Sequence, residues 1–296
     1  MNGAVNPSTT LETAAPRSAW RDGVRRFFRH PTGVVGLSII TFFIVISILA
    51  PILRPYDAAR DRDLRSRLAP PSAEHVFGAD ELGRDIFTRV WHGGRISLRV
   101  GLIAVAVAVV FGTVLGLVAG YFGGWIDTLI VWFLDILLAF PGILLAIAIV
   151  ATLGPSLTNA LIAISITQIP IYTRIVRSVV LSLRESEYVH AARALGSGGV
   201  RVVLRHILPN SLSPLIVQLT LSIGVAILDV AALGFLGLGA QPPAPEWGLM
   251  IRDGFSQFLR APWMSIFPGI AIFLSVVGFN LLGDAVRDVL DPRLVE

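Results

Sequence analysis

Lysine is missing from this chain of 296 residues, so all 24 basic residues are arginine. A phosphate-binding P-loop needs its lysine to reach the nucleotide phosphates. The chain therefore holds no ordinary ATPase site and is expected neither to bind nor to hydrolyse ATP. Cysteine is also missing, which excludes disulfides, thiolate metal sites and cysteine nucleophiles. Charge is scarce: 15% of residues are charged, against about 25% in a typical soluble domain. With a mean hydropathy of +0.74, this composition excludes an ordinary soluble domain and describes a membrane protein. The five histidines are scattered and form no HExxH pair, so a zinc protease of that kind is excluded. No basic stripe with interleaved aromatics occurs, which argues against nucleic-acid binding.

Long apolar runs are plentiful. Six read as spans, at about 33–53, 100–121, 127–152, 157–180, 212–237 and 265–283. A run of about 20 residues at about 1.5 Å each covers roughly the 30 Å hydrocarbon core. The first run is longer than the apolar part of a signal peptide, about 7 to 15 residues, and reads as an uncleaved span. Five arginines precede it (Arg17, Arg21, Arg25, Arg26 and Arg29), which predicts a cytoplasmic N-terminus. With six spans both termini lie inside, and arginine then divides into 13 inside and 11 outside. Residues 1–30 read as a cytoplasmic tail. Its first half is expected to be disordered, and its end to be an interfacial helix with Phe27 and Phe28 in the headgroups. Residues 31–96 comprise the first span and a polar outer segment, and residues 97–296 the main transmembrane domain.

Several residues stand out within and between the spans. Gly112, Gly116 and Gly120 recur every fourth position and give one smooth helix face for close packing. Pro141 kinks or breaks the third span. Asp135, six residues earlier, is costly at membrane depth; it either lines a substrate path or makes an interhelical hydrogen bond. Gln168 in the fourth span and Asp229 in the fifth are further path candidates. Arg174, Arg177 and Arg184 are expected to bring the fourth span to the inner surface. His75, Asp80 and Asp85 lack convincing metal-ligand spacing, and capping and ion pairing in a membrane-surface helix account for them. Residues 240–264 read as an outer loop stiffened by Pro242, Pro243 and Pro245, with Trp247 and Trp263 at the interface.

The most informative stretch is a polar island, residues 184–210, RESEYVHAARALGSGGVRVVLRHILPN. Ser186 is the expected N-cap of a short helix, with Glu185 and Glu187 at its acidic start and Arg193 in its last turn. Gly196 stops that helix. A second short helix, Val200 to Leu208, is expected to close at Pro209. Ala191, Ala192 and Ala194 leave the first helix little bulk, which lets a partner come close.

This island resembles the EAA loop of the membrane subunits of ATP-driven importers. Ala191, Ala192, Gly196, Leu208 and Pro209 hold the family's spacing, with His190 where glutamate is usual and His206 where isoleucine is usual. Three further stretches resemble the dipeptide and oligopeptide branch: GRDIFTRVWHGGRISL, GFLGLG preceded by Asp229 in place of glutamate, and the GDAVRDVLDP tail. The resemblance covers nearly the whole chain from about residue 20. It implies an all-α membrane protein with the six-helix, MetI-like fold of type I ABC importers, acting as a C-type permease subunit. It also implies a homologous B-type permease, two ABC ATPase subunits and an extracytoplasmic substrate-binding protein as partners. ATP and Mg would be bound by the ATPases, with no cofactor, metal or catalytic residue in this chain. Glu187, Tyr188, Ala191, Ala192, Arg193, Gly196 and Pro209 would form the ATPase-coupling site. The implied cargo is di- or oligopeptide, with nickel chelates, glutathione or oligosaccharides as alternatives. The rival to this family is an ion-driven secondary transporter, for which Asp135 near Pro141 is the best intramembrane carboxylate.

Overall fold

A computed structural model describes residues 19–58 and 60–290. Apart from one isolated antiparallel bridge between Ala79 and Asp85, the long regular elements among these residues are helices. The stretch expected to be disordered, at the start of the chain, lies outside the described residues, as does the tail after Leu290.

Helix α1 (Ala19–Arg29) leads into α2 (Pro31–Leu53), with Pro31 in the first turn where its missing N–H has no helical partner to lose. Phe28 is exposed on α1, whereas Phe27 is half-buried and its ring lies against Gly33. An irregular segment follows, and then α3 (Ile86–Phe122), α4 (Gly124–Leu138), α5 (Gly142–Leu153) and α6 (Leu157–Leu183). The short α7 (Glu187–Ala194) and α8 (Gly199–Val202) precede α9 (Leu208–Phe235), α10 (Trp247–Phe255) and α11 (Trp263–Leu290). Among the described residues five helices are long and apolar enough to span a membrane; α4 and α5, bent by 89° at their junction, meet that test only taken together. Pro141 is the break: α4 ends at Leu138 and Pro141 sits at the N-cap of α5.

Helix α3 has 37 residues and begins well before its apolar run. Sequence placed residues 86–99 in or beside the polar outer segment; they are instead the first turns of this helix. Asp85 caps it, accepting from the Thr88 N–H at 2.8 Å and the Thr88 hydroxyl at 2.6 Å. The same carboxylate lies 3.4 Å from His75. Asp80 is buried and accepts from the Arg84 N–H and guanidinium and from Arg89, whose other nitrogen lies 4.0 Å from Asp253 of α10. These ion pairs clamp the irregular segment onto α3 and α10. They are the capping and pairing roles expected for Asp80 and Asp85, made in the fold rather than on a membrane-surface helix.

The central seam joins α3 to α6. The glycine stripe faces α6 in parallel order: a Cβ on Gly112 would sit 2.6 Å from the Tyr172 Cβ, one on Gly116 2.7 Å from the Thr173 carbonyl, and one on Gly120 2.7 Å from the Val180 Cβ. The absence of side chains lets two backbones meet without a layer of side chains between them. Gly36 of α2 meets Gly278 and Leu282 of α11 in the same manner.

The loop at 240–264 is folded rather than extended. Glu246 caps α10, accepting from the N–H groups of Gly248 and Leu249 at 2.9 Å and from the Ser97 hydroxyl at 3.0 Å. Burial pushes the Glu246 carboxyl up from the usual carboxylate range, against those three donors. Trp247 is not an interfacial belt residue. It is fully buried and donates its indole N–H to the Val90 carbonyl at 2.8 Å.

Candidate functional site

The polar island folds at the end of the bundle where α3 and α6 finish. Helix α7 spans Glu187–Ala194 with Ser186 at its N-cap position, but the Ser186 hydroxyl donates backward to the Leu183 carbonyl instead of capping. The C-terminus closes as the sequence implies. Gly196 adopts φ +83°, while the Ser197 N–H reaches the Ala192 carbonyl and the Gly196 N–H the Arg193 carbonyl. That pair of bonds is a Schellman motif, which needs a left-handed residue and so favours glycine.

The anchor of α7 is Val189, fully buried. Ala192, one turn on, is half-buried on the same side. Glu187, Tyr188, His190, Ala191, Arg193 and Ala194 are exposed, and Leu195 is 88% exposed. The exposed face therefore sets two small residues, Ala191 and Ala194, among charged and aromatic side chains, with a leucine projecting at the C-cap. Ala192, expected on that face, belongs partly to the inner one, because the helix is pinned by the residue three positions earlier. Arg193 leans over the Tyr121 ring at 5.4 Å, tying α7 to the end of α3. Arg184 donates to the Gly120 carbonyl at 3.1 Å and pairs with Glu185 at 3.0 Å.

Pro209 does not end the second helix. Residues 199–235 run as one helix with a π turn at Val203–Ile207. A proline ring clashes with the carbonyl four residues back and offers it no N–H; widening the turn before Pro209 accommodates both. Just beyond the turn, two side chains bond back onto the helix: Asn210 donates to the His206 carbonyl at 2.6 Å and Ser211 to the Ile207 carbonyl at 3.2 Å.

The second group lies along α4 and α6. Asp127 and Arg177 form a bidentate pair at 2.5 and 2.6 Å, half-buried. Asp135 and Arg174 pair at 2.7 Å with side chains 53% and 58% exposed. Asp135 is 11 residues into α4 and Arg174 nine residues before the end of α6, which places them about 14 to 17 Å along their helices at 1.5 Å per residue. An exposed ion pair between two apolar spans faces water or another protein rather than lipid. Arg174 and Arg177 are partners of acids on the third span. Two acids on one span and two arginines three apart on the next were the signal for this pairing, and of the two acids only Asp135 stands out in the sequence as a candidate.

The other two path candidates are placed differently. Both side-chain amide atoms of Gln168 are buried without a hydrogen-bond partner. Asp229 is half-buried on α9. Among the described residues, no hydrogen bond or ion pair joins either to the Asp135–Arg174 pair.

Residues 112–296 match the family of binding-protein-dependent transport system inner membrane components, and residues 18–71 match the N-terminal TM domain of oligopeptide transport permease C. The chain is 56% identical over 277 residues to the dipeptide transport system permease protein DppC of Alkalihalophilus pseudofirmus, covering 94% of this chain and 91% of that protein. It is 46% identical over 290 residues to the glutathione transport system permease protein GsiD of Shigella sonnei, covering 98% and 96%. Among solved structures, inward-facing conformations of the MetNI methionine ABC transporter superpose on 69% of this chain and 95% of theirs, with a TM-score of 0.50 at 19% identity. That likeness concerns the fold.

Proposed function

The chain belongs to the family of binding-protein-dependent transport system inner membrane components, the permeases of ABC importers, and on that premise we propose that it forms half of a translocation path for small peptides. The relatives named for dipeptide and glutathione transport share almost its full length; both names describe short peptides, and this overlap supports the cargo class. The observation that carries the mechanism is the free face of α7: Ala191 and Ala194 exposed beside a leucine that is 88% exposed. Such a surface, two small residues and an apolar projection flanked by the exposed Glu187, Tyr188, His190 and Arg193, suits insertion into a groove of a separate ATPase subunit. Two ATPases, a homologous permease and an extracytoplasmic substrate-binding protein complete the assembly. With α7 and both termini cytoplasmic, ATP-driven closure of the ATPases would move α7 and favour an outward-facing state, and hydrolysis would reset it. The exposed Asp135–Arg174 pair supports a path along the α4–α6 face, which the second permease would complete.

The test is Ala191→Arg in the reconstituted importer. Ala191 is exposed, so its cost to the fold should stay within about 0.5 kcal/mol. A long cation at the docking face should sharply reduce uptake and ATPase capture while assembly with the partner permease persists. Native uptake with normally bound ATPases would remove α7 from the coupling role. Ala192→Arg is the poorer probe, because Ala192 is half-buried against its own bundle.

A further inference from the structure

A cavity of about 470 Å³ opens at the other end of the molecule, between the start of α3's apolar run and the start of α6. Tyr56, His92, Arg95, Arg99, Thr158 and Pro245 are among its lining residues, and none of the lining residues is acidic. Arg95 and Arg99 are one turn apart on α3 and both exposed, so they share a face. Among the described residues neither guanidinium has a hydrogen bond or an ion pair. This contrasts with Arg84, Arg89, Arg174 and Arg177, each matched to a carboxylate. The Tyr56 hydroxyl is buried and without a partner. His92 lies 2.8 Å from the Arg54 carbonyl through Nε2; a carbonyl only accepts, so the proton sits on Nε2. Thr158 stands in the first turn of α6, a helix of 27 residues whose N-terminal end carries the positive pole of its dipole.

Two unmatched guanidiniums, an unpartnered hydroxyl and a helix N-terminus converge on one concavity without a counter-charge. From this we propose that the cavity is an anion site, and that its ligand is the carboxylate of the transported peptide on its way into the path. Guanidinium matches carboxylate geometry in a bidentate fork, and the volume suits a small molecule rather than a protein surface. The identity of the ligand rests on the importer reading above; the existence of the anion site does not.

The chain's lack of cysteine allows a direct test. Thr158→Cys, in the full importer reconstituted in zwitterionic lipid, is modified by methanethiosulfonate reagents of either charge. A positive concavity should make the anionic reagent react about tenfold faster than the cationic one, each normalised to a free thiol, since focused fields raise local ion concentration by that order or more. Arg95→Gln with Arg99→Gln should abolish the preference, and the paired lysine variants should keep it. A dipeptide with a free carboxylate should slow labelling, and its C-terminal amide should not. Equal rates for the two reagents would overturn the anion site. Protection by added anionic phospholipid, with none by the dipeptide, would assign the site to a lipid phosphate and overturn the cargo. A uniform loss of uptake for acid and amide cargo in the glutamine variants, with weakened capture of the binding protein, would make it a docking patch and overturn the proposal likewise. The reagent comparison needs no ATP, so failure of the importer reading leaves it interpretable.

Discussion

Replacing Gly116 with alanine adds one methyl group to the seam between α3 and α6. The new Cβ would lie 2.7 Å from the Thr173 carbonyl oxygen, 2.7 Å from the Val176 Cβ and 3.1 Å from the Arg177 N. Two of these neighbours are backbone atoms and the third is the branch point of a stiff side chain, so none can swing away. The helices must part by several tenths of an ångström over the whole seam. Overpacking of this kind typically costs about 1 to 3 kcal/mol. Alanine returns up to about 1 kcal/mol through its better helix propensity. With the full return the net expectation is a loss of up to about 2 kcal/mol, or up to roughly 4 to 8 °C in the unfolding midpoint. Gly269→Ala in α11 is the matched control, because nothing lies within 4 Å of its Cβ position; there only the propensity gain remains. Thermal unfolding of both variants in one detergent, followed by intrinsic fluorescence, gives the comparison. If Gly116→Ala melts at or above Gly269→Ala, the close backbone approach of α3 and α6 is not what holds them together.

Three further outcomes are expected. Asp80→Asn leaves the buried guanidiniums of Arg84 and Arg89 without their shared carboxylate; breaking a buried pair costs about 3 to 5 kcal/mol, read as a large drop in melting temperature, and a native midpoint would contradict the clamp. Asp127→Asn removes a half-buried bidentate pair with Arg177, for a loss of about 1 to 3 kcal/mol that the charge-swapped double variant should partly recover; no recovery would mean that the two residues do not act as a pair. Single cysteines at Ser72, Ala194 and Ser256, all exposed, report topology with a membrane-impermeant thiol reagent on intact cells: 72 and 256 should label and 194 should not, and the reverse pattern would invert the orientation.

Much of this fold was legible because bilayer physics leaves so few options. A run near 20 apolar residues can only be a span, and the stripe Gly112, Gly116, Gly120 can only be a close contact, although its partner α6 was not nameable from spacing. The bend at Pro141 and the stop at Gly196 follow from the chemistry of those two residues. The misreadings share a cause, which is that local signals were taken without their tertiary partners. Pro209 marks a helix end on local grounds, but the π turn with Asn210 and Ser211 lets the helix pass through it. Trp247 suits an interface by composition, but Glu246 and Ser97 fold its loop inward. Residues 86–99 look like a polar surface segment because arginine recurs there; Arg89 is in fact buried against Asp80. Ala192 was assigned to the docking face by motif, whereas Val189 fixes the helix rotation and turns it inward.

These contacts also determine what a push on α7 could move. Arg184, at the end of α6, holds the Gly120 carbonyl, and the glycine stripe locks α6 to α3 for about two further turns. Arg193 rests on Tyr121 of the same α3 end. Helix α7 is therefore tied to the shared end of α3 and α6 through Arg193, with Val189 buried beneath it. Helix α4 is linked to α6 by the pairs Asp127–Arg177 and Asp135–Arg174, and it ends at the 89° elbow before α5. Packed cores respond to force by shifting between discrete arrangements rather than by deforming smoothly. The elbow at residues 139–141 is then where α4 can bend against α5, and of the two pairs Asp135–Arg174 is the more exposed and the nearer to it, while the better-buried Asp127–Arg177 pair is the firmer link between α4 and α6.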